Sequence, residues 1–183
     1  AGSSSGKNHP LTWAQECLVQ SELHNRLAGS RIASGQGMIA TLEAQPTSLY
    51  PLDEIDGLIR AASDKVRAPR HLSEIIENLL TFYTSSHSAF NGTDYANRKE
   101  RPRVRIEQPS LSVFGVCTPD AFWGSLKSGS ALDGTLGRML IFESDDNYPF
   151  PRDVSGDVVI PAMLLDLFRA IDRGVEGHNH FPA

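Results

Sequence analysis

Two short apolar runs of β-type residues flank a strongly periodic helical segment, and this succession limits the chain more than any other feature. Thr47–Leu52 (TSLYPL) reads as a buried strand despite Pro51, and it ends in Asp53-Glu54. Ser110–Cys117 (SLSVFGVC) reads as a second strand, stopped by Thr118-Pro119. Between them, Leu72, Ile75, Ile76, Leu79, Leu80 and Tyr83 recur at i, i+3, i+4, i+7, i+8 and i+11, which predicts an amphipathic helix over Leu72–Tyr83. A third apolar run, Met139–Phe142, reads as another strand. Further helices are predicted at Leu11–Leu27, Met38–Ala44, Asp120–Leu126 and Pro161–Ile171. Strands alternating with helices give an α/β class with a mainly parallel sheet, in which Thr47–Leu52, Ser110–Cys117 and Met139–Phe142 are neighbours with their carboxyl ends on one edge.

The length, 183 residues, suits one domain, and 40% hydrophobic residues suffice for a core. No apolar run approaches the ~18 residues of a membrane span. Residues 1–10 hold no apolar h-region, and Cys17 and Cys117 lie far apart without a CxxC spacing. The expectation is a cytoplasmic protein with no disulfide framework and no membrane partner. A net charge of −5 excludes a uniformly basic coat for nucleic acid. The stretch Arg98-Lys99-Glu100-Arg101-Pro102-Arg103-Val104-Arg105, with Tyr95 close by, reads either as a nucleic-acid contact or as a solvated hairpin. Trp13 and Trp123 read as packing residues.

Four segments could carry chemistry. Ala1-Gly2-Ser3-Ser4-Ser5-Gly6-Lys7-Asn8 has the layout of a phosphate-binding loop, though it also reads as a flexible linker. Small residues such as Gly2, Ser5 and Gly6 let successive backbone N–H groups turn toward phosphate oxygens, and Lys7 reaches the outer phosphates. Ala1 stands where the motif has glycine, and Asn8 stands where it has the Ser or Thr that holds magnesium. Asp53-Glu54, delivered by a buried strand, suits a magnesium-holding carboxylate followed by one that polarises water; an acidic solvated turn is the alternative. Thr118 can sense a γ-phosphate or cap the next helix. Arg138, entering an apolar run after a Gly-containing turn, can meet a transferring phosphoryl group or pair with Asp133 or Glu143.

The order of these pieces resembles one group. Gly6-Lys7, the Ser34-Gly35-Gln36-Gly37 run before a helix, the apolar run ending in Asp53-Glu54, PSLSVFGVCTPDAF and DGTLGRMLIFE are similar to the P-loop ATPase domain of phage and plasmid replication proteins, often joined to a primase-polymerase module. The resemblance covers about residues 1–145 and is strongest over Leu52–Asp56 and Pro109–Phe142. It implies a RecA/AAA-like three-layer P-loop NTPase fold, lacking here the strand before the phosphate loop. It also implies a single domain over 1–183, with a core over 1–145 and a C-terminal helix and tail over 146–183, drawn from a longer protein. The implied activity is that of an ATP- and Mg2+-dependent motor of a DNA replication helicase, with DNA as partner and a homo-oligomeric parent. On that resemblance Gly2, Ser5, Gly6, Lys7 and Asn8 bind nucleotide, and Asp53 with Asn8 binds magnesium. Glu54 acts on the attacking water, Thr118 on the γ-phosphate and Arg138 on a phosphate of its own or a neighbouring subunit. Ala1 and Asn8 bear on hydrolysis rather than fold; the missing first strand and Asn8 keep open a second class, a non-catalytic structural or interaction module that has lost nucleotide binding.

Overall fold

The computed structural model describes residues 8–63, 69–97, 99–100, 102–126, 136–143 and 159–177. Helix α1 (Asn8–Gln20) is followed by a 3-10 turn at His24–Arg26, then by α2 (Gly35–Ala44), β1 (Thr47–Asp53), α3 (Asp56–Ser63) and α4 (Arg70–Ser85). Short strands β2 (Ala89–Phe90) and β3 (Ile106–Glu107) precede β4 (Ser110–Val116) and α5 (Pro119–Ser125). A 3-10 turn at Leu136–Arg138 and helix α6 (Ala162–Gly177) complete the described elements.

The chain is mixed α/β around a small parallel sheet. β1 and β4 run parallel in an unbroken register from Thr47↔Ser110 to Asp53↔Val116. Ala28 N–H donates to the Leu49 carbonyl at 2.9 Å, so the segment at Leu27 forms a parallel bridge on the far side of β1. Alternate residues of a strand present their backbone groups to the same edge. Pro51 therefore shares the edge of Leu49, away from β4, and its missing N–H leaves the β4 ladder intact.

Each face of the sheet is covered by helices. Tyr50 and Leu52 are buried with Met38, Leu42, Ile75 and Phe82 of α2 and α4, and Leu111 and Val113 of β4 pack against the same cluster. On the other face Leu18 of α1 and Phe168 and Ile171 of α6 surround a shallow groove over Leu49, Ser110 and Ser112. Helix α6 is tied there by Arg26, whose guanidinium meets Asp172 at 2.8 Å with both side chains largely buried, and by Arg169 donating to the Gln20 carbonyl at 3.1 Å.

The helices run back against the strands. Helix α2 ends at Ala44, just before β1 starts at Thr47, so its first turn lies at the carboxyl edge of the sheet. Asn78 of α4 donates to the Gly35 carbonyl at 3.1 Å, which puts the first half of α4 at that same edge. A Cβ at Gly35 would lie 2.7 Å from Asn78 Nδ2 and 3.2 Å from Glu74 Cβ, so a larger residue would push the Asn78 amide aside and crowd α4. Phe82, near the other end of α4, stacks at 4.7 Å on Phe90 of β2, and the β2–β3 pair leads directly into β4.

Several expectations need correction. Met139–Phe142 is not a strand: residues 139–143 follow a 3-10 turn without regular structure, and Leu140 and Phe142 are 87% and 91% exposed. Apolar β-type residues form a strand only where a neighbour offers a free edge, and none among the described residues pairs with this run. The helix expected over Leu11–Leu27 ends at Gln20, because Glu22 takes a left-handed φ of 65°. Helix α3 has no counterpart among the helices read from the sequence. Trp123 is 52% exposed, edge-on to Phe122, rather than packed. The hairpin read as one alternative for the stretch between α4 and β4 is present, closed by Ala89↔Glu107 and Phe90↔Ile106.

Candidate functional site

The carboxyl edge of the parallel pair gathers most of the described residues singled out in the sequence. Asp53 is the last residue of β1, paired in register with Val116 of β4. Thr118 follows two residues later and begins α5. The two strand exits are joined directly, since Ile55 N–H donates to the Val116 carbonyl at 3.3 Å. Asp53 and Thr118 therefore share one edge, the edge where ligands bind in open α/β sheets.

Glu54 stands between β1 and α3 with φ at 55°. The left-handed region costs a residue with a Cβ about 1–2 kcal/mol, and such outliers gather at functional sites. Its N–H donates to Asp53 Oδ1 at 2.9 Å, which orients the Asp53 carboxylate relative to the turn. Both carboxylates are exposed. Asp56, one turn further, is engaged by Arg60 Nη2 at 3.1 Å and serves the start of α3.

Thr118 caps α5: its Oγ1 accepts from Ala121 N–H at 3.4 Å, and Phe122 N–H donates to its carbonyl at 2.9 Å. The cap uses the hydroxyl oxygen as acceptor and does not consume its proton, so Thr118 can cap the helix and still donate outward. Asn8 is the first residue of α1, exposed, with its carbonyl accepting from Thr12 Oγ1 at 3.2 Å. Near the other end of α1, Leu18 lies by the first residues of β1 and β4. Ser34 caps α2 at this edge, accepting from Gly37 N–H at 3.0 Å. Gly2, Ser5, Gly6 and Lys7 lie outside the described residues.

Arg138 is elsewhere. Its guanidinium sits 4.6 Å above the Tyr83 ring, near the end of α4 that leads into the β2–β3 hairpin. That end is opposite to Asp53 and Thr118. In the hairpin, Arg105 donates to Glu107 Oε1 at 2.7 Å and to Asn91 Oδ1 at 2.8 Å, and Arg103 lies 4.0 Å from Asp94. These partners favour the solvated-hairpin reading of Arg103 and Arg105; Arg98 and Arg101 lie outside the described residues.

Among the described residues no three His, Cys, Asp or Glu side chains converge on a metal position. Magnesium bound with a nucleotide needs no such cluster: it keeps several waters, takes phosphate oxygens, and uses one or two protein oxygens. Asp53 and the Asn8 amide oxygen supply donors of that chemical type. No helix among the described residues is long and apolar enough to cross a membrane. No family model, curated protein or solved structure matches this chain.

The sequence did not single out Ile55, whose backbone joins the two strand exits, or the left-handed turn at Glu54. A glycine inside the apolar run of β4, Gly115, is the one sequence signal that marks the place.

Proposed function

We propose that the chain is a P-loop-type nucleotide-binding domain that takes ATP with Mg2+ and hydrolyses it, as the motor of a phage-type replication helicase. One observation carries this reading. Two parallel strands end side by side, one in Asp53-Glu54 and the other leading into Cys117-Thr118. A buried strand ending in two carboxylates, beside a strand ending in a hydroxyl, is the arrangement needed around a hydrolysed γ-phosphate. Lys7 and the backbone of Gly2, Ser5 and Gly6 would hold the phosphates, and Asn8 and Asp53 the metal. Glu54 would take up a proton from the attacking water, and Thr118 would donate its hydroxyl to the γ-phosphate. The RecA/AAA-like topology, a cytoplasmic location, DNA as the track and a homo-oligomeric parent belong to the same reading and rest on the resemblance.

A second reading, a non-catalytic module derived from such a domain, draws on Asn8 in place of a hydroxyl residue and on Arg138 lying against Tyr83. Calorimetry and phosphate release with ATP and Mg2+ separate the two. On the first reading Lys7→Ala weakens binding, while Glu54→Gln spares binding and lowers turnover by ~10²–10⁴-fold. Equal affinity in wild type and the Lys7 variant refutes the phosphate-loop assignment. Binding without turnover in the wild type favours the non-catalytic module.

A further inference from the structure

We infer that Ile55 and Gly115 act together as positioning residues: the Ile55 side chain wedges onto the bare backbone of Gly115 and fixes the turn that aims Asp53 and Glu54. This inference rests on the nucleotide-site reading above.

The chain has two residues, Glu54 and Ile55, in which to leave β1 and start α3. Both carboxylates are exposed, and the backbone of this short turn sets where each side chain starts from. Glu54 reverses the chain with a left-handed φ, and an ordinary residue stays there only where the surroundings over-determine it. Ile55 supplies that restraint three times. Its N–H donates to the Val116 carbonyl at 3.3 Å, its carbonyl accepts from Leu58 and Ile59 N–H at 3.0 and 3.2 Å, and its side chain covers Gly115. A Cβ at Gly115 would overlap Ile55 Cδ1 and would lie 2.8 Å from its Cβ and 3.0 Å from its Cγ1. No side chain other than hydrogen fits at 115 while Ile55 stays where it is. The position next to the site is thus held by a contact between β4 and the turn itself, and an error of about 1 Å in a carboxylate is enough to cost ~10²-fold in rate.

The test uses the full chain with Mg2+ and ATP, comparing wild type, Gly115→Ala, Ile55→Ala, Ile55→Val and the double variant Gly115→Ala/Ile55→Ala. The first two single variants should keep their far-ultraviolet circular dichroism. Their kcat should fall roughly 10- to 10²-fold, with KM for ATP changed by less than about threefold, because the phosphate loop is untouched. More Mg2+ should be needed for half-maximal rate. Ile55→Val, which keeps the branched wedge, should restore most of the turnover. The double variant removes two of the three crowding atoms, so it should melt above Gly115→Ala while kcat stays low. A purely structural contact predicts instead that kcat recovers as melting temperature does. If Gly115→Ala fails to fold, Ile55→Ala decides, since it adds no atom. Wild-type turnover in both Gly115→Ala and Ile55→Ala overturns the inference and leaves the nucleotide site standing. A wild type that binds no MgATP overturns the site, and the inference with it.

Discussion

Replacing Glu54 by glycine should stabilise the fold while removing activity. Glu54 is exposed and holds φ at 55°, a conformation that costs a residue with a Cβ about 1–2 kcal/mol. Glycine adopts it without strain, but its greater freedom in the unfolded chain takes back about 0.5–1 kcal/mol. The expected net gain is about 0.5–1 kcal/mol. For a domain of this size each kcal/mol moves the melting temperature by roughly 2–4 °C. Glu54→Ala loses the same carboxylate but retains the Cβ and therefore the strain, so it is the reference for the gain from glycine. The decisive quantity is the difference between the two variants. At Glu77, an exposed position inside α4, glycine should be less stable than alanine by about 1 kcal/mol. At position 54 the sign should invert. Urea unfolding of the four variants, fitted with a common slope, reads both differences. Glycine less stable than alanine at position 54 would show that the left-handed turn is not a source of strain, and the functional weight placed on it would go.

Two further outcomes follow from the packing. Phe82 is 1% exposed and stacks on Phe90 with the rings tilted by 58°, so Phe82→Ala should cost about 3–5 kcal/mol, out of a total of about 5–15 kcal/mol. A double-mutant cycle with Phe90→Ala should return a coupling of about 0.5–1.5 kcal/mol, and a loss below about 1.5 kcal/mol for Phe82→Ala would contradict the core assignment. Burial, helped by the neighbouring Glu16 carboxylate, pushes the Cys17 thiol above its ordinary value of 9.0. The folded chain then keeps a proton that the unfolded chain releases, so this contribution is whole below that value and is lost as pH rises through the folded one. The stability of wild type relative to Cys17→Ala should shrink between pH 8 and pH 10 in urea titrations, and a constant difference would contradict it.

The amino-acid sequence by itself determined the elements whose cause is local. The spacing of Leu72, Ile75, Ile76 and Leu79 makes one apolar stripe on a helix whatever else is nearby, and α4 runs where that stripe runs. Ser34 and Thr118 stop the preceding chain and cap α2 and α5, because a hydroxyl three residues before a bare N–H needs no distant partner. Buried β-type runs placed β1 and β4, and with them Asp53 and Thr118 on one edge. Only the tertiary structure decided the rest. Met139–Phe142 has the composition of a strand, but a strand exists by virtue of the neighbour that takes its hydrogen bonds, and that neighbour is set by the whole fold. Arg138 lies over the Tyr83 ring, a contact that long-range packing makes and that no local pattern marks. The turn at Glu54 is marked in the sequence by Gly115 alone, because its left-handed backbone depends on Ile55 lying on Gly115, a contact between residues sixty positions apart.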